Sequence, residues 1–169
     1  DSIFSEIIDN EMYSSSQRRI ATIHLAKINM YYYHKYADAM NLINRYLEMT
    51  KGREYGPGLG VKADVFYEMM EYDSAFNYYN ESMNSYDDLY SRCRNADKLS
   101  ELSAIKGVSE KAIYYHKLYG QLRDSIIEIE KAREIEELRF KHNEELLEET
   151  IAHKHKRFTI IGLSSLLSL

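Results

Sequence analysis

Three stretches of this chain, residues 23–47, 59–83 and 96–120, can be laid on one another with offsets of 36 and then 37 residues. The anchor is Tyr36-Ala37-Asp38-Ala39-Met40 against Tyr72-Asp73-Ser74-Ala75-Phe76 and Ser109-Glu110-Lys111-Ala112-Ile113. Each has an alanine one place before a larger apolar residue. A period of this length is one supersecondary unit that cannot bury its apolar face alone, so the units must stack.

The units read as helix. One proline and seven glycines in 169 residues leave few breaks, and the alternating β-branched runs of strands are missing, so the chain is predicted to be all-α. Where two helices cross, a small residue lets the backbones approach, and Ala39, Ala75 and Ala112 fill that role. Tyr36 and Tyr72, three residues earlier, cover the turn. Four residues later Ile43, Tyr79 and His116 return to the buried face. The partner helices upstream bury Ile23, Ala26 and Met30, then Leu59, Ala63 and Phe66, then Ala96, Leu99 and Ser103. Each unit is therefore an antiparallel helix hairpin.

Tyr72, Ala75, Tyr79 and Ser82 form a Tyr-x-x-Ala-x-x-x-Tyr pattern followed by a small residue, which resembles the second helix of a tetratricopeptide repeat. The resemblance spans residues 20 to 120 and implies a right-handed solenoid of tandem hairpins. The chain departs from that pattern in several places. Lys27 stands where the first helix usually has a small residue, Tyr46 and Tyr119 replace a late alanine, and no repeat ends in proline. Its spacing also exceeds the family's usual length of about 34 residues.

Four regions are expected. Residues 1–19, with Ile3, Phe4, Ile7 and Ile8 at helical spacing, read as the second helix of an earlier repeat and a turn, Ser14-Ser15-Ser16 supplying the next N-cap. Residues 20–122 hold the three hairpins. Within them Gly52, Gly56, Pro57, Gly58 and Gly60 are expected to end one helix and space it from the next. From Ser109, taken as an N-cap, little but Gly120 interrupts a helix on the order of 70 Å long that would leave the solenoid. Its segment 123–157 is charged, with ten acidic and four basic residues between Asp124 and Glu149 around Ile126, Ile129, Ala132, Ile135 and Leu138. That seam is compatible with a coiled coil and hence with a homodimer.

Residues 158–169 carry no charge and read as the start of a transmembrane helix, which needs about 20 apolar residues. A chain that opens at Asp1 without methionine and stops inside this run reads as a fragment. Repeats, Arg123-Asp124-Ser125-Ile126, acidic helix and apolar segment in this order resemble membrane-anchored bacterial regulators with an extracytoplasmic tetratricopeptide sensor region. Lys154, Lys156 and Arg157 would place the repeats in the cytoplasm by the positive-inside rule; the resemblance places them outside, and the periplasmic orientation is the expectation adopted.

Chemistry-bearing patterns are sparse. A net charge of -5 gives no basic face for nucleic acid. A single cysteine, Cys93, forms no internal disulfide. No two of the six histidines have the i, i+3 or i, i+4 spacing of a helical metal pair. His142 lacks the flanking pattern of a kinase phosphoacceptor, the carboxylates from Glu128 to Glu149 form a solvated face, and no phosphate-binding loop is present. No catalytic residue, metal or cofactor is assigned.

The anomaly is sixteen tyrosines, clustered at 31–33, 78–79 and 114–115. Consecutive residues on a helix cannot share one buried face, so some are exposed, and exposed aromatics anchor protein partners. In stacked hairpins the first helices line one face, which here would display His24, Ile28, Tyr31 and Tyr32, then Asp64, Tyr67 and Glu68, then Asp97 and Glu101. His24 and Ile28 occupy the first positions of the clamp that some tetratricopeptide proteins use for a peptide carboxylate. An acidic, aromatic groove suits a neutral or basic peptide instead. The expectation is a non-enzymatic protein- or peptide-binding sensor module of a membrane-anchored signalling protein. The alternatives are a sensor histidine kinase whose catalytic part lies elsewhere, or a soluble assembly scaffold.

Overall fold

The structure, a computed structural model, describes the backbone of residues 2–50, 55–85 and 88–166 and the side chains of residues 3–50, 56–85, 88–152 and 154. Every regular element among them is helical: α1 (Ser2–Asp9), α2 (Ser15–Tyr31), α3 (Tyr36–Met49), α4 (Tyr55–Glu68), α5 (Tyr72–Ser85), α6 (Leu89–Ile105) and α7 (Ser109–Leu166). The chain is all-α, in two compact units, residues 1–124 and 125–169.

From α1 to α6 each helix packs on its neighbour in sequence, and α4 also meets α2 and α6. Ser14 caps α2 as expected: its hydroxyl accepts from the Gln17 amide while the Gln17 side chain accepts from the Ser14 amide, satisfying donors the first turn leaves free. Ile8, Ala21 and Leu25 join α1 to α2. Ala26, Met30, Ala39, Ile43, Val61 and Val65 form a core between α2, α3 and α4. Ala63, Ala75, Tyr79, Leu99, Leu102 and Tyr115 form the next, between α4, α5, α6 and the start of α7. Because α4 serves both cores, it is apolar on two sides.

The three hairpins share a backbone signature at their turns. His34, Met70 and Gly107 adopt positive φ of 52°, 60° and 72°. Met70 and Gly107 donate to the carbonyls three residues back, and Glu71 and Val108 to those five back, the Schellman arrangement that closes a helix C-terminus. The anchoring alanines then begin the second helices alike, with the Ala39, Ala75 and Ala112 amides donating to the carbonyls of Lys35, Glu71 and Val108. The cap of α7 is thus Val108, and Ser109, expected to be that cap, is the first helical residue.

The first turn differs. Lys35 donates to Asn29, six residues back, so the α2–α3 connection holds one residue more than the other two. The first helices consequently end at Tyr31, Glu68 and Ile105, spaced by 37 and 37, whereas the anchoring alanines of the first two hairpins are 36 apart. This slides α2 by one place against the sequence alignment. Ala26, fully buried, aligns with Ala63, and Lys27 no longer stands at the small-residue position.

Two further expectations are corrected. Gly56, Pro57, Gly58 and Gly60 do not separate two helices but lie in the first turns of α4; Gly52 lies outside the described residues. Pro57 fits there because a first-turn residue has no intrahelical partner for an amide. A Cβ on Gly58 would meet the Tyr46 ring at 2.6 Å and Leu47 at 2.8 Å, and one on Gly60 would meet Arg94 at 2.9 Å, so these glycines allow close helix approach. In α7, His116 is exposed and Tyr115 takes the buried place. The Tyr115 ring meets Phe76 edge-on and its hydroxyl reaches Asn80, both on α5.

These contacts predict opposite responses to one change. Gly120→Ala, with nothing within 4 Å of the added carbon, should stabilise the chain by about 0.5–1 kcal/mol through helix propensity. Gly58→Ala gains the same propensity but overlaps a buried ring, and should lose about 1 kcal/mol or more net. Urea titration of both variants checks the contrast; a stabilised Gly58→Ala would refute the close approach.

In the second unit, residues 128–152 are exposed throughout, among them Ile129, Ile135, Leu138, Phe140, Leu147 and Ile151. No helix among the described residues is long and apolar enough to cross a membrane. The segment expected to begin a transmembrane helix falls on residues whose side chains lie outside the described set.

Candidate functional site

Asp64 sits between the fully buried Ala63 and Val65 of α4 and is only 4% exposed. A carboxylate there requires partners. The Tyr79 hydroxyl of α5 donates to its Oδ1 at 2.6 Å, and Arg94 Nη1 of α6 donates to its Oδ2 at 2.8 Å. Burial, and then the charge of Asp64, push the Tyr79 hydroxyl far above the usual range for a phenol. Burial pulls the Arg94 guanidinium down, but the Asp64 carboxylate outweighs it and the net direction is up. Both oxygens of Asp64 are engaged, so its role is to tie three helices together.

Around this tie the expected face takes shape. Tyr31, at the end of α2, is raised by burial and next by the charge of Asp64, with Arg94, Glu68 and Lys98 also acting on it. One turn further along α4, the Tyr67 hydroxyl donates to Glu101 Oε1 of α6 at 2.5 Å. Lys98 donates to Glu101 Oε2 at 2.9 Å, and its ammonium lies 4.1 Å from the centroid of the Tyr67 ring. Hydrogen bonds from Tyr67 and then Lys98 hold Glu101 below the usual carboxylate range, and the bond to Glu101 raises Tyr67. Asp64 and Glu101, 37 residues apart, are repeat equivalents, and each accepts one tyrosine hydroxyl and one cation.

Of the nine residues expected on this face, Tyr67 and Glu101 are bonded to one another one turn from the Asp64 tie, and Tyr31 lies within electrostatic reach of Asp64 and Glu68. His24 stands apart, stacked on Phe4 of α1 with centroids 6.0 Å apart. Asp97 bears on Cys93, whose thiol is raised by burial and next by that charge, opposed by Arg123. Ile28 is half-buried, and Tyr32 is 79% exposed at the end of α2. No family model, curated protein or solved structure matches this chain.

Arg94 and Lys98 were not among the expected residues. Their signal was an i, i+4 spacing that puts both on one face of α6, and a carboxylate inside an apolar helix that demanded a cation. With them the face is not simply acidic: two cations stand among Asp64, Glu68 and Glu101. Among the described residues no group of three or more histidines, cysteines or carboxylates is placed to hold a metal ion.

Proposed function

We propose that the hairpins form a tetratricopeptide-like right-handed solenoid. We read it as a protein- or peptide-binding sensor module of a membrane-anchored signalling protein, with its partner on the face of α2, α4 and α6. The observation that carries this reading is the convergence of Tyr31, Tyr67, Glu68 and Lys98 from three first helices around the Asp64 tie. Amphipathic aromatics beside charged side chains are what partner recognition uses, and rings give contact area at low entropic cost. The recurring turns at His34, Met70 and Gly107 support tandem stacking. The uncharged sequence after Arg157 supports a membrane tether, the extracytoplasmic placement of the repeats follows the resemblance against the pull of Lys154, Lys156 and Arg157, and the exposed isoleucines and leucines of residues 128–152 support self-association along α7.

Peptides selected from a random library on the immobilised chain should shift the amide resonances of Tyr31, Tyr67, Glu68 and Lys98. The Tyr31→Ala, Glu68→Ala variant should weaken them about ten-fold. A library that yields no binder, or binders that map to α3 and α5, would overturn the reading. The tether is checked by flotation of the 169-residue chain with lipid vesicles: it should float, and a version ending at Arg157 should not. Equal behaviour of the two would remove the membrane from the proposal.

A further inference from the structure

The two repeat-equivalent carboxylates differ in how their cation is held. Asp64 is buried and receives Arg94 from another helix. Glu101 is more open, with its side chain 45% exposed, and its cation is Lys98 from one turn earlier on α6 itself. Lys98 is a flexible chain on the same rim, so its ammonium can leave without separating any two helices. The tyrosine–carboxylate bond from Tyr67 to Glu101 does join two helices, and it remains when Lys98 departs. What is left is a half-box: one carboxylate oxygen without its cation and one aromatic face, with the charge of Asp64 beyond.

We propose that this half-box is a subsite for a lysine or arginine side chain of the partner, and that Lys98 occupies it as a built-in competitor. The inference rests on the peptide-binding reading above and specifies what that face selects. A cation over a phenol ring with a carboxylate at its edge gains from both the ring quadrupole and the ion pair, and Lys98 already shows the pose. An incoming side chain must displace it, so the resident lysine sets a threshold that weak or uncharged ligands do not cross. The groups facing the subsite are Tyr67, Glu101, Asp64 with its Arg94, and Tyr31.

The test uses an end-blocked Gly-Gly-Lys-Gly-Gly peptide and its norleucine counterpart, titrated by NMR into the wild-type chain and Lys98→Ala. Vacating the subsite should raise affinity for the lysine peptide about ten-fold while leaving the norleucine peptide unchanged. Adding Glu101→Gln to Lys98→Ala should abolish the gain with the chain still folded by circular dichroism. If Lys98→Ala binds the lysine peptide no better than wild type, or binds norleucine equally well, the subsite is refuted. The broader reading is judged separately, because library peptides can occupy the face without any cation preference.

Discussion

Arg94→Met should lower the free energy of unfolding by about 2–3 kcal/mol, below the cost of breaking a fully buried pair because the arginine side chain is 43% exposed. The loss comes mostly from Asp64, left with a charge in an apolar helix and a single donor, Tyr79. Asp64→Asn in the same background should therefore restore most of it: the amide oxygen still accepts from Tyr79, and no buried charge remains to be compensated. Urea unfolding of the two single variants and the double gives the coupling directly. Additive losses would mean that Arg94 acts by packing its stem, not by neutralising Asp64.

Above pH 10 the first unit should unfold cooperatively. Tyr31, Tyr67, Tyr79 and Tyr115 all have hydroxyls raised above their ordinary value of 10.0, by burial in every case except Tyr67, where the bond to Glu101 leads. The folded chain thus keeps protons that the unfolded chain has shed. The stabilisation these groups contribute is complete below the unfolded value and is lost as the pH climbs towards the folded ones, at about 1.4 kcal/mol per pH unit for a buried tyrosine still protonated and at less for Tyr31, which is 48% exposed and screened by solvent. Tyr79, fully buried, should dominate. Tyrosinate absorbance and helical ellipticity should change together, and Tyr79→Phe should flatten the alkaline fall while lowering stability at neutral pH. Tyrosines that titrate while ellipticity stays constant would contradict this. On the acid side Glu101 has a lowered carboxyl, so its small contribution is present above 4.5 and fades as the pH falls below it.

The helix class, the hairpin order and the second-helix anchors were all legible in the sequence, because Ala39 and Ala75 must be small wherever two helices cross and both are fully buried. The register of α2 was not. One extra residue in a turn shifts the preceding helix without leaving any mark in composition, and Lys27 was consequently compared with Ala63 in place of Ala26. The glycines of α4 misled for a related reason: a glycine that admits a neighbouring ring and one that ends a helix look alike until the neighbour, here Tyr46, is known. In the site, the tyrosines and carboxylates could be placed on a face by periodicity. The Asp64–Arg94 tie joins residues 30 apart, and no local pattern specifies such a pair.

The α2–α3 turn has a consequence of its own. It takes up an additional residue and still delivers Ala39 to the same crossing as Ala75, so in this chain the repeat is elastic in length but fixed in phase. Any ruler of constant length laid along such a chain loses step after a single hairpin. Growth or shrinkage of the units can then collect where the backbone bends through His34, while the first helices, α2, α4 and α6, stay in step with one another.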